Sequence, residues 1–152
     1  MKIFLSWSGV HSGKYAKAFN DWLPNVFQSV TPFYSPEDIA AGERWLERLN
    51  TVLEEYDFGI VCLTRDNLAA PWIMFESGAL AKKLGKSKLV PVLCGIAETE
   101  LNKHPLTQFQ YVHTNEEGIR KLVESVNASL GDNKLNETQL TKAFGKWWPD
   151  LL

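Results

Sequence analysis

The chain has 152 residues, enough for one compact domain, and 45% of them are apolar, too many for a disordered chain. Sixteen basic residues, scattered along the sequence, and eighteen acidic ones leave a net charge of −2. No nucleic acid and no anionic membrane surface is therefore expected as a direct partner.

The opening apolar run, residues 1–5, gives way to polar residues too soon for a signal peptide. No run approaches the ~18–20 apolar residues of a membrane span. Cys62 and Cys94 each sit inside an apolar run and read as small core residues, not a disulfide framework. A cytoplasmic protein is the expectation.

Residues 2–6 form a nearly continuous apolar run, the pattern of a buried strand in a parallel sheet. A Gly/Ser loop follows, with Ser12 as a candidate cap for the next helix. From 13 to 29, Tyr15, Ala16, Phe19, Trp22, Leu23 and Val26 recur at helical spacing, and Pro24 predicts a kink or break near Leu23. Residues 30–34 are a second strand, which Pro32 places at or near an edge. A long polar loop runs from Ser35 to Gly42. Trp45, Leu46, Leu49, Val52 and Leu53 then mark an amphipathic helix over about 43–55.

Residues 58–63 are the clearest buried strand, followed by a polar exit at 64–67 and a helix over about 71–84. Residues 88–94 make a fourth strand, weakened by Pro91, and 109–113 an alternating fifth one. Asn115 caps a helix carrying Ile119, Leu122, Val123, Val126 and Leu130. A last short helix opens at residues 136–138, and Trp147-Trp148-Pro149 ends the chain. Strands alternating with helices predict a flavodoxin-like, doubly wound, five-stranded parallel sheet flanked by helices. Such sheets bind ligands beyond the carboxyl ends of their strands, at the switch point of strand order.

The third of these strands feeds the most unusual stretch, Pro71-Trp72-Ile73-Met74-Phe75-Glu76. Pro71 suits a first helical position. At about 100° per residue, Glu76 shares a face with Trp72 and Leu80 on an otherwise apolar helix. A carboxylate there is either a capped or water-bonded core residue or part of a cleft beside an indole. The i, i+4 pairing of Trp72 and Glu76 favours a site.

Other chemistries fit less well. The loop after the first strand has neither a Walker A nor a GxGxxG pattern, although its serines and glycines could donate to a phosphate. His11, His104 and His113 have no partner at metal-ligand spacing, so no metal is expected. No G-x-S-x-G is present, and neither cysteine lies beside a plausible base.

Taken together, these residues resemble a bacterial Toll/interleukin-1 receptor (TIR) domain of the NAD-cleaving kind. Ile3-Phe4-Leu5-Ser6-Trp7-Ser8 is similar to that family's first strand. The loop from Ser35 to Gly42 resembles its long loop after strand 2. The run from Leu63-Thr64 to Trp72-Ile73-Met74-Phe75-Glu76 resembles its Trp-x-x-x-Glu pattern, and 88–93 its fourth strand. The resemblance spans residues 1–130, leaving 131–152 as a C-terminal helical extension that could lead to a ligand-sensing domain or partner. Ala70-Pro71 departs from the Ser that many members carry before the Trp, which alters only the helix start.

The resemblance implies cleavage of NAD+ at its nicotinamide–ribose bond, giving ADP-ribose or a cyclic ADP-ribose in antiphage defence. NAD+ is then the substrate, and no cofactor is implied. Glu76 would be the catalytic carboxylate, and Trp72 a stacking face. Phe4, Ser6 and Trp7 would form the opposite wall, and Asp38, Ile39 and Trp45 would come from the long loop and the helix after it. Self-association through Ser35 to Gly42 would complete the site. The alternative is a non-catalytic adaptor of the same family. A response-regulator-like domain fits less well, because the first strand ends in Ser6-Trp7 and the third in Leu63-Thr64 rather than in acidic residues.

Overall fold

A computed structural model describes residues 1–7, 9–34, 55–68, 82, 88–101 and 104–152. Five strands, β1 (Lys2–Ser6), β2 (Thr31–Tyr34), β3 (Phe58–Leu63), β4 (Leu89–Leu93) and β5 (Val112–His113), form one sheet in the order β2-β1-β3-β4-β5. Every pairing is parallel. The chain steps from β1 to one side for β2 and to the other for β3, so the switch point lies between β1 and β3. The flavodoxin-like expectation holds.

The apolar runs work because both faces of the sheet are covered. Ile3, Leu5, Phe58, Ile60, Cys62, Val90 and Val92 face one side. There they meet helices α1 (Val10–Val26), α2 (Glu116–Ala128) and α3 (Glu137–Leu151). Phe4, Val61, Leu63, Leu89 and Leu93 face the other side, where Tyr56, Ile96, Leu101, Leu106 and Phe109 pack on them. Cys62 and Cys94 are buried free thiols. Their mutual hydrogen bond, and then burial, pushes the Cys62 thiol well above its ordinary value.

Four element boundaries differ from the sequence expectation. Helix α1 runs unbroken through Pro24, with no break at Leu23. It begins earlier than expected, at Val10, and ends at Val26, so Pro24 forgoes one i→i−4 hydrogen bond near the end while the Phe27 N–H still donates to the Leu23 carbonyl at 2.9 Å. Gly9 occupies the cap position at φ 93°, and Ser12 lies inside the helix with its hydroxyl donating to the Gly9 carbonyl at 3.4 Å. Strand β4 forms with Pro91 inside it: all five of its residues are buried between β3 and β5. Its ladder with β5 involves only Val92 and Leu93, so Pro91 lies outside that ladder.

Strand β5 spans only two residues; Phe109, the first of the expected strand, instead caps the 3-10 turn Pro105–Gln108, its N–H donating to the Leu106 carbonyl. The last helix is longer than expected. A capping box between Asn136 and Gln139 starts it, and it continues through Trp147, Trp148 and Pro149. The extra turns are held by α1: Trp22 Nε1 donates to the Trp147 carbonyl at 2.7 Å, and Phe144 meets Trp22 edge-on. Phe144 and Trp148 stack at 5.6 Å. The 131–152 segment is thus packed on the same core as the sheet.

Candidate functional site at the carboxyl ends of β1 and β3

Parallel strands deliver Ser6 and Val61 side by side, so the loops after β1 and β3 open next to each other at the switch point. Ser6 is fully buried and Trp7 is 7% exposed. The Trp7 indole stacks on Tyr34 of the neighbouring β2, with centroids 4.9 Å apart and planes 22° apart. The Tyr34 hydroxyl donates to the Gly13 carbonyl at 3.2 Å. A Cβ at Gly13 would come within 2.9 Å of the indole, so glycine is what lets α1 close over the ring. Trp7 Nε1 is buried and finds no hydrogen-bond acceptor among the described residues.

Alternation along β1 separates the predicted wall residues. Trp7 belongs to the face covered by α1, whereas the fully buried Phe4 belongs to the other face. There Phe4 meets Tyr56 edge-on at 5.3 Å and Phe33 at 5.6 Å. Burial, and then the Glu55 carboxylate, pushes the Tyr56 phenol up to about 12, so it stays protonated. The structure therefore places Ser6 and Trp7, both buried, at the carboxyl end of β1, and Phe4 on the opposite face of the sheet from Trp7. Glu76, Trp72, Asp38, Ile39 and Trp45 lie outside the described residues.

The exit from β3 is fixed by polar contacts that sequence reasoning missed. Asn67 is 2% exposed. Its Oδ1 accepts from the Thr64 backbone N–H at 2.8 Å, and its Nδ2 donates to the Cys62 carbonyl at 3.0 Å. One buried amide thus satisfies two backbone groups that the end of a strand would otherwise leave open. A Thr-x-x-Asn run after an apolar strand is the signal that could have revealed this turn.

Two neighbouring segments tie onto the same turn. His11 Nδ1 and Asp66 Oδ2 meet at 2.9 Å, joining the start of α1 to the β3 exit. That hydrogen bond holds the Asp66 carboxyl below its usual range. Gly9 turns the chain into α1 at a positive φ of 93°, a conformation that favours glycine. On the other side, Arg65 Nε donates to Glu100 Oε1 at 2.7 Å, and Glu100 also accepts from the Ala97 N–H. This pairing lowers the Glu100 carboxyl and raises the Arg65 guanidinium. His104 Nε2 lies 2.7 Å from the Leu68 carbonyl. Contacts spanning 35 to 55 residues of sequence leave no local signal.

The described rim is thus a frame rather than a reactive centre. Its one carboxylate beside the β1 loop, Asp66, is already engaged by His11. A wide cleft of 1080 Å³ lies elsewhere, at the β4–β5 edge, lined by Leu89, Val90, Gln110, Tyr111, Lys121 and Glu124. It is remote from the switch point, and Glu124 is paired with Arg120. Among the described residues no cluster of three metal-ligating side chains occurs, and no helix is long and apolar enough to cross a membrane.

Compared with known proteins, residues 3–123 match the family model described as a TIR domain. No curated protein matches the chain.

Proposed function

The chain belongs to the TIR-domain family, and from that premise we propose that it cleaves NAD+ at the bond between nicotinamide and ribose. The observation that carries this reading is where the Trp72–Glu76 stretch begins. In sequence it follows Leu68, which ends the turn after β3, and it lies inside the matched region.

The chemistry needs little more than a placed carboxylate. The leaving group is already a pyridinium, so the C1′–N bond breaks with its electron pair going to nitrogen, and neutral nicotinamide departs without a general acid. The ribose acquires oxocarbenium character, so one carboxylate suffices where other glycosidases use two. Glu76 accepts hydrogen bonds from the ribose hydroxyls and stabilises the growing positive charge. Trp72, one turn earlier, gives a face on which a cationic nicotinamide ring stacks. Ser6 and Trp7 form the opposing wall, with Phe4 supporting it from below. Asp38, Ile39 and Trp45 complete the site from the long loop and the following helix. Water captures the cation and loses a proton, giving ADP-ribose; attack by a nucleophile elsewhere in the same molecule gives a cyclic ADP-ribose.

Self-association through the loop from Ser35 to Gly42 activates the site in this reading. The protein acts in the cytoplasm, in antiphage defence, with a sensing partner domain or protein. The test is nicotinamide release by the wild type and Glu76→Ala, free in dilute solution and clustered on a support. Release by the clustered wild type alone is expected. Release that persists in Glu76→Ala would overturn the mechanism. Its absence from the wild type in every assembled state would favour a non-catalytic adaptor.

A further inference from the structure

We propose that His104 is a positioning residue for the Trp72–Glu76 stretch, its imidazole pinning the Leu68 carbonyl four residues before Trp72. The inference rests on reading that stretch as the site, but its structural half stands separately. The two ring nitrogens do different work. The Leu106 N–H donates to Nδ1 at 3.1 Å, so Nδ1 carries no proton. The proton is therefore on Nε2, which donates to the Leu68 carbonyl at 2.7 Å. One side chain thus caps the Pro105–Gln108 turn and bridges to a chain 36 residues earlier.

The ring is aimed before it binds. Pro105 disfavours helical backbone at the preceding residue, and His104 sits extended at φ −74° and ψ 138°. The Thr107 hydroxyl donates to the His104 carbonyl at 2.8 Å, tightening the same turn. The receiving segment is equally constrained. Asn67 locks the turn from inside, and Leu68 packs against the second core cluster. Leu68 is the last described residue before the stretch that carries Trp72 and Glu76. A carbonyl held there sets the direction in which the chain leaves the sheet. Arg65–Glu100 joins the same two segments at the surface, where Arg65 is 75% exposed and the pair is weakly constraining. The half-buried His104 bridge is the firmer of the two.

The two functions of the imidazole can be separated by substitution. Asn places its amide oxygen near the position of Nδ1 and is a preferred cap, but it cannot reach Leu68. Gln places its amide nitrogen near Nε2 and keeps the bridge while losing the cap. The full chain, clustered on one support, is assayed as wild type, His104→Asn and His104→Gln. Nicotinamide release is followed against NAD+ concentration, and amide hydrogen exchange in peptides covering 69–81 and 105–109.

For His104→Asn, kcat falls on the order of tenfold with KM changed less than about twofold, because a displaced carboxylate loses transition-state contacts first. Exchange over 69–81 rises while 105–109 stays as in the wild type. His104→Gln shows the reverse exchange pattern and keeps kcat within about threefold of the wild type. Wild-type exchange over 69–81 in His104→Asn, or an equal loss of kcat in both variants, would overturn the proposal. If even the clustered wild type releases no nicotinamide, the NAD+ reading fails, and the exchange comparison still decides what His104 holds.

Discussion

The helical face of the sheet and the rim at the β3 exit are held together by different forces. On the helical face, α1, α2 and α3 bury one continuous apolar cluster, with Trp22, Phe144, Trp147 and Trp148 interlocking around it. At the rim, the turn after β3 is held by named polar contacts: Asn67 inside, His11, Arg65 and His104 outside. Both regions use a buried asparagine to close a turn. Asn127 accepts from the Leu135 N–H and donates to the Leu135 carbonyl, as Asn67 does for Thr64 and Cys62. The difference lies in what surrounds that amide. Packing spreads its energy over many contacts and tolerates adjustment. Directional hydrogen bonds fix a position and fail singly. The rim is built for placing groups, and the helical face for stability.

The largest effects should come from the packed side. Phe144→Ala removes the ring shared by Trp22, Trp148 and Arg120, and should cost about 4 kcal/mol in urea unfolding, with the described rim unchanged. A cost under about 1 kcal/mol would mean that the cluster repacks freely. Gly118→Ala is comparable: the added carbon collides with the His113 backbone carbonyl oxygen, and about 3 kcal/mol of stability should be lost.

Asn67→Ala is the matching cut at the rim. It leaves the Thr64 N–H and the Cys62 carbonyl buried without their partner, and about 2 kcal/mol should be lost. Unlike Phe144→Ala, it should also raise hydrogen exchange through 64–68. Uniform loosening of the whole chain by Asn67→Ala would erase the distinction between the two regions. Gly13→Ala is smaller, about 1.5 kcal/mol, because the new carbon, 2.9 Å from the Trp7 ring, forces that ring to shift. Combined with Trp7→Phe it should cost less than alone, and simple additivity would count against this contact.

The smallest effect belongs to His11 and Asp66, whose side chains are 69% and 54% exposed. The folded state lowers the Asp66 carboxyl below its ordinary 3.8. Its contribution is therefore complete above that value and fades as pH falls through the lowered folded value. Asp66→Asn should leave neutral stability nearly unchanged and flatten only the acid limb of a pH–stability profile. A marked loss at neutral pH would show that this exposed pair matters more than its solvent screening allows.

Most of the fold was legible because the strands are buried on two faces. Residues 58–63 read as a strand from sequence and are one. Pro32 was informative, since a missing N–H is tolerated at the β2 edge. Boundaries failed where a local feature depended on tertiary partners. Gly9 starts α1 early by taking a positive φ, and the Trp22–Trp147 hydrogen bond prolongs α3. The Pro105–Gln108 turn takes Phe109 of the expected fifth strand as its cap, and only Val112 and His113 pair with β4. For the site, position was easier to read than side-chain direction. Ser6 and Trp7 lie at the carboxyl end of β1, but residues three apart in a strand face opposite ways, which sets Phe4 apart from Trp7. His11, His104 and Asp66 carried no readable role, because each finds its partner from a distant segment.

The central claim is that Glu76 acts by its charge. The direct measurement is nicotinamide release by clustered wild type and Glu76→Gln at matched concentration, with both shown to unfold at the same urea midpoint. Gln keeps the shape and removes the negative charge. A fall of at least about a hundredfold in kcat is predicted, the scale of losing one electrostatic stabiliser of a transition state. Turnover within about threefold of the wild type, in a folded variant, would contradict the account.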